Sequence, residues 1–302
     1  MPKTFVVVCL LTLVAAPGCS VKKFAINRLG DSLASSGTTY AADDDPDLVG
    51  QALPFSLKLV EGLLAESPEH RGLLLAAVSG FTQYAYIYVH QEAEMLEKQD
   101  FEKSTALRDR ARRLYLRARG YGLRGLDVRR RGFSGKLKQD PVSAVQLATA
   151  TDVPMLYWTA AAWGNAISIS KDNPMLVADQ QIVEALIDRA AELRPDFEAG
   201  AIDGFLIVYE MSRQGAPGDP AARARRHFDR AVALSKGQLA SPYVSLAEAV
   251  SVQNQDRGEF ESLLKHALAI DPEARPEWRL QNLVVQRRAR WLLATEADLF
   301  VK

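Results

Sequence analysis

Apolar residues recur along this chain at the three- and four-residue spacing of helices, and no stretch alternates long enough for a strand. The clearest unit is Leu263–Pro272, LLKHALAIDP. There a small residue and an aliphatic face run down a helix that stops at an acidic-Pro step. Versions of it return at Leu63–Pro68 (LLAESP), Ala190–Pro195 (AAELRP) and Ala231–Gly237 (AVALSKG), the last with Gly as the stop. Ala190, Ala231 and Ala267 begin equivalent phrases 41 and 36 residues apart. That is the range of stacked helical hairpins.

Caps and breakers divide the rest into further helices. Val21–Leu33 carries Phe24, Ala25, Leu29 and Leu33 at helical spacing. Asp45 and Pro46 suit the cap and first turn of a helix over Pro46–Ser67. The neighbouring Asp43 and Asp44 favour that helix start and lack the Gly turn and distal Glu of a calcium loop. Glu69–Gln99 is apolar nearly all round between Leu73 and Val89, so it is expected to be buried on several sides. Phe101–Val128 follows, then a loop over Arg129–Lys138. Helices are expected from Pro141 to about Ala150, over Asp152–Ser170, and from Pro174 to Leu193. Asp196–Arg213, Ala221–Lys236, Pro242–Val252, Arg257–Ile270 and Pro276–Thr295 follow, and Glu296–Lys302 reads as a tail. The fold this predicts is all-α, built of helical hairpins with short loops.

The N-terminus carries a different signal. Lys3 is followed by the apolar run Phe5–Ala15 and then by Ala16-Pro17-Gly18-Cys19. This describes a secretory signal, too short to be a spanning helix. It resembles a bacterial lipoprotein signal. By that resemblance residues 1–18 are removed, Cys19 is acylated, and 19–45 form a tether with one short helix ahead of a domain over 46–302. Ser20 in place of Asp points, by resemblance to bacterial sorting rules, to the outer membrane. The other cysteine, Cys9, lies in the segment to be removed, so the mature chain has no disulfide. The expected location is the periplasmic side of the envelope, with the membrane held through the N-terminal lipid.

Composition removes several function classes. Of 302 residues, 48% are hydrophobic and 25% charged, with zero net charge, as in an ordinary globular protein. No global field steers such a chain to nucleic acid. The basic run from Arg108 to Arg131 is interleaved with Ala111, Leu114, Tyr115, Ala118 and Tyr121, and reads as a solvated face that pairs with acids on neighbouring helices. His70, His90, His227 and His266 include no pair at helical metal-ligand spacing. There is no nucleophile elbow, dinucleotide fingerprint or Ser-x-x-Lys. The chain reads as a non-enzyme without cofactor or metal. Tyr84 and Tyr88, on one helical stripe with Phe81, are candidate ligand-lining residues. So are Tyr157, Trp158 and Trp163, which sit beside the small residues Ala160–Gly164. Arg110 and Arg117, one heptad apart, are candidates to meet a ligand carboxylate or a partner surface.

Several separated phrases then carry a family resemblance: Ala41–Lys58 (AADDDPDLVGQALPFSLK), Leu73–Tyr86, Arg110–Tyr121 (RARRLYLRARGY), Asp152–Trp163 (DVPMLYWTAAAW) and Leu280–Leu293. Together they resemble the T component of tripartite ATP-independent periplasmic (TRAP) transporters. The resemblance implies TPR-like hairpins in a compact superhelical bundle with a hydrophobic cavity or pore. It also implies a homo-oligomer, usually a trimer. The implied partner is the transporter's periplasmic solute-binding protein, which the chain would dock while holding or passing an apolar or carboxylated ligand. The competing expectation is an outer-membrane lipoprotein scaffold for envelope assembly with no small-molecule cavity.

Overall fold

The computed structural model describes residues 27, 28, 30, 31 and 40–301. The signal segment, Cys19 and most of the helix expected over Val21–Leu33 lie outside those residues. All regular structure among the described residues is helical.

Three long helices form the N-terminal half. Asp45 accepts from the amides of Asp47 and Leu48 and opens α1, Pro46–Glu66. α2 spans Arg71–Leu96, and Asp100 caps α3, Phe101–Arg129. Both α1 and α2 are long and apolar enough to cross a membrane by length and composition. α2 is instead core: Leu73, Leu74, Ala77, Val78 and Phe81 are all buried, as its apolar circumference requires.

Shorter helices continue the stack. They are α4 Phe133–Gln139, α5 Pro141–Val145, α6 Val153–Ser168, α7 Pro174–Val177, α8 Gln180–Leu193 and α9 Ala201–Tyr209. α10 Pro220–Ser235, α11 Ser241–Leu246, α12 Arg257–Ala269 and α13 Arg279–Ala294 complete it. Asp140, Asn173 and Asp219, each before a proline, and Asp256, before Arg257, accept a backbone N–H at a helix start and act as caps.

α2 packs on α1 and α3, α3 on α6, α6 on α8, α9 on α10 and α12 on α13. One apolar cluster runs from α1 to α9 around Leu73, Leu156, Trp163 and Leu186. A second joins the last hairpins around Tyr243, Phe260, Leu264 and Leu292. The repeated small residues face these cores: Ala190, Ala231 and Ala267 are all buried. Gly200, at φ 99°, brings the start of α9 so close to α10 that a Cβ there would stand 2.9 Å from the Ala231 Cα.

Several sequence expectations need correction. Arg129–Lys138 is not all loop: Phe133 and Leu137, one turn apart, are both buried and anchor α4. The helix expected from Pro174 to Leu193 is broken between Val177 and Gln180. Asp196–Arg213 is helical only from Ala201 to Tyr209, after a turn in which Glu198 and Ala199 also take positive φ. The expected C-terminal tail is packed: Phe300 lies edge-on to Phe260 at 5.1 Å. Lys98 Nζ is 2.8 Å from Asp298.

α13 returns to α1, so the two ends of the stack meet. Arg279 donates to the Ala42 carbonyl at 3.0 Å and Arg287 Nη1 lies 2.9 Å from Asp47.

The α3–α6 contact is set by Gly122, where a Cβ would fall 2.1 Å from the buried Thr159 Oγ1. Gly120, two residues earlier and on the opposite side of the helix, faces open space. Gly122→Ala is expected to destabilise by about 1–3 kcal/mol through overpacking. Gly120→Ala is expected to stabilise by about 0.5–1 kcal/mol through helix propensity. Denaturant unfolding of the two variants measures both signs.

Candidate functional site

Two helices depart from α geometry, and both departures lead to one place. α2 makes a π turn over Tyr86–His90. α11 continues into a π turn over Ala247–Ser251. Such turns rotate the register of the following residues and concentrate at functional positions. Here they turn Tyr86, His90 and Glu248 toward Arg288 of α13.

Arg288 is the centre of the cluster. Its Nη2 lies 2.8 Å from Glu94 Oε2 and 2.6 Å from Glu248 Oε1. Its Nε donates to the same Glu248 oxygen at 3.0 Å. The guanidinium stands 4.4 Å from the Trp291 ring, a cation–π contact. Burial opposes its charge, yet Glu248 and Glu94 hold its pKa above the ordinary arginine value. Burial pushes the Glu248 carboxyl up, against the pull of Arg288. His90 Nδ1 is 3.2 Å from the Tyr115 hydroxyl and its Nε2 is 3.6 Å from Glu94. Burial, reinforced by Arg288 and Arg108, pushes His90 down to about 4.

Tyr86 forms the accessible side of this cluster. It keeps 40% of its surface exposed, yet burial and the Glu248 charge push its hydroxyl up to about 12. Around its phenol stand the edge of the His90 ring and two carboxylates held by one arginine. His90 is neutral at pH 7, so the cluster fixes shape and charge there without trading protons.

The seven ligand candidates read from sequence fall in separate groups. Tyr84 and Tyr88 pack at 5.7 Å. The Tyr84 hydroxyl accepts from Arg110 at 3.1 Å. Tyr88 donates to the Pro46 carbonyl at 2.7 Å, and its ring fills the space that a Cβ on Gly50 would need. These residues join α1, α2 and α3. Arg117 is exposed, 3.7 Å from Glu61 of α1 and over the Phe81 ring. Tyr157 and Trp158 meet edge to face at 5.0 Å, with Phe197 5.3 Å from Tyr157. Burial drives the Tyr157 hydroxyl well above the usual range. Trp163 is buried, donates to Asp179 at 3.2 Å and carries Arg119 over its ring.

Of the basic run in α3, Arg108, Arg112, Arg117 and Arg119 each face an acid, as expected for a paired, solvated face. Tyr86, Glu94, Glu248 and Arg288 were not legible as a site. A π turn leaves no mark in apolar periodicity, and Arg288 sits on a helix whose pattern looks ordinary. Among the described residues, no cluster of three or more His, Cys, Asp or Glu could hold a metal ion.

His90 yields a pH prediction. Its folded pKa lies below the unfolded value of 6.5, so the unfolded chain binds the proton first as pH falls. The stability this gives is complete above pH 6.5 and is lost on descent to about 4, an amount of about 3 kcal/mol. Urea unfolding at several pH values should show His90→Gln losing about 3 kcal/mol less than the unaltered chain over that window.

Two comparisons bear on this arrangement. The family model of the TRAP transporter T-component matches residues 42–300. An uncharacterized protein of Treponema pallidum (strain Nichols) is 29% identical over 302 residues, covering 94% of each chain.

Proposed function

Because the chain belongs to the TRAP transporter T-component family, we propose that it works as a lipid-anchored docking scaffold for the periplasmic solute-binding protein of such a transporter. The family membership gives the transporter association and, with it, an envelope location. The anchor at Cys19, placement at the outer membrane and assembly as a homo-trimer belong to the same proposal, as does one domain over 46–302.

The observation that carries the docking role is the outer face of α1. Leu48, Phe55 and Leu59 lie on one stripe and are 56%, 75% and 40% exposed. Large apolar side chains left together in water mark an interaction surface. Phe55 is the kind of aromatic that anchors one. Arg110 and Arg117, exposed next to Tyr84 and Glu61, add a polar contact on another side of the stack. In this reading the exposed Tyr86 and the Tyr157–Trp158–Phe197 group contact the polar end and apolar body of a carried ligand.

The test is binding of the mature chain to the solute-binding protein encoded with the transporter in the same genome, measured by calorimetry. The unaltered chain is expected to bind. Phe55→Asp with Leu59→Asp is expected to weaken binding at least about 30-fold, the loss of a hot spot, while leaving the melting temperature in place. Failure of the unaltered chain to bind any such protein would overturn the proposal. Sedimentation of the chain alone reads the trimer.

A further inference from the structure

Zero net charge conceals a separation of charge along the α2–α3 hairpin. Between Glu92 and Glu102, at the turn joining the two helices, the chain carries five acids and one base, Lys98. Between Arg124 and Lys138, at the far end of α3, it carries six bases and one acid, Asp127. α3 has 29 residues, so the two poles stand about 40 Å apart.

The basic pole is built around one carboxylate. Asp152 is buried. Arg71 Nη2 lies 3.2 Å from its Oδ1, Arg130 Nη1 3.1 Å from its Oδ2, and Arg129 Nε 3.6 Å from Oδ1. Thr149 donates to it from both its amide and its hydroxyl. One aspartate cannot neutralise three guanidinium groups, so the cluster keeps a surplus of two positive charges. Arg124, which donates to the Pro68 carbonyl at 2.9 Å, and the exposed Arg131 add to it. Glu69 is an acid on the same turn and leaves the balance positive.

The start of the described chain sits at this same pole. The Ser67 hydroxyl donates to Asn27 Oδ1 at 2.8 Å, and His70 Nε2 is 3.2 Å from the Asn27 carbonyl. Ser67, Pro68, His70 and Arg71 are thus at once the seat of Asn27 and the neighbours of Arg124 and Asp152. Eight residue steps separate Asn27 from Cys19, a reach of at most roughly 29 Å. An anchor at Cys19 therefore keeps the arginine pole within one short tether of the bilayer. The α2–α3 turn lies at the opposite end of α3.

We propose that the arginine pole formed by Arg71, Arg124, Arg129, Arg130 and Arg131 binds the anionic phospholipid headgroups of the membrane that carries the chain. It would orient the scaffold with the α1–α2 turn down and the α2–α3 turn outward. The orientation rests on the anchor reading above; the headgroup contact rests on the arginines alone. A juxtamembrane basic cluster supplies the second signal that lets a lipid-tethered protein hold one attitude.

The experiment uses the mature chain with Cys19→Ser, which keeps every described residue, and phosphatidylcholine vesicles with or without phosphatidylglycerol. The R124Q/R129Q/R131Q chain leaves Arg71 and Arg130 on Asp152, so the buried carboxylate stays paired. The K98Q/K103Q/R108Q chain removes the same charge at the other end of α3. The unaltered chain is expected to co-sediment with anionic vesicles, weakly at high salt and not with neutral ones. The arginine-pole variant should lose roughly 100-fold in partitioning, on the scale of about fivefold per basic residue. The other variant should lose little. Binding to neutral vesicles, no binding to anionic ones, or equal loss in both variants would overturn the proposal. So would an arginine-pole variant that binds vesicles normally but no longer binds the solute-binding protein. Palmitate incorporation into the full-length chain in cells tests the anchor separately, so the failure of either reading is seen without the other.

Discussion

Arg288 held between Glu94 and Glu248 is the interaction on which the closed form of this molecule depends. It joins a helix from the N-terminal half, a π turn from the C-terminal half and the last long helix. A buried charge is costly to isolate, so loss of one partner leaves the others uncompensated. The surrounding contacts are more exposed: Arg287 with Asp47 and Lys98 with Asp298 lie at the surface, and Arg279 with Ala42 is half-buried. Apolar packing holds each hairpin to its neighbours, and a further group around Ile207, Ala231 and Val250 lies between the two large apolar clusters. The ionic cluster bridges helices that sequence separates widely. It is also where both π turns occur, which places Tyr86 beside the contact that closes the stack.

Small residues set how near the helices come. Gly122 against Thr159 and Gly200 against Ala231 are backbone approaches that a side chain would block. Buried Ala190, Ala231 and Ala267 do the same work in the repeated phrases. Close packing leaves little freedom inside the stack, and the surface carries what remains available for function: an apolar stripe on α1, a basic face on α3 and an arginine pole. The docking and membrane readings proposed above use these surfaces separately.

Much of the architecture was legible because its signals are local. Asp45, Asp140, Asn173, Asp219 and Asp256 announce helix starts by their chemistry, and the structure uses each as a cap. The all-helical class followed from periodicity. What escaped reading depends on distant partners. Phe133 and Leu137 are too few to declare a helix, and become one only against the N-terminal core. Phe300 reads as a tail until Phe260 is beside it. The aromatic candidates were chosen for ring chemistry. Tyr88 joins α2 to α1 and Trp163 hydrogen-bonds Asp179, while Tyr86, two residues before Tyr88, faces Glu248 and Arg288 in the π turn.

The central claim is that the exposed face of α1 receives the transporter's solute-binding protein. Hydrogen exchange of the mature chain, with and without that protein, tests it most directly. The account predicts slowed exchange at the amides of α1 from Leu48 to Leu63, with the α12–α13 hairpin unchanged. Complex formation with unaltered exchange along α1, and protection elsewhere on the stack, would contradict it.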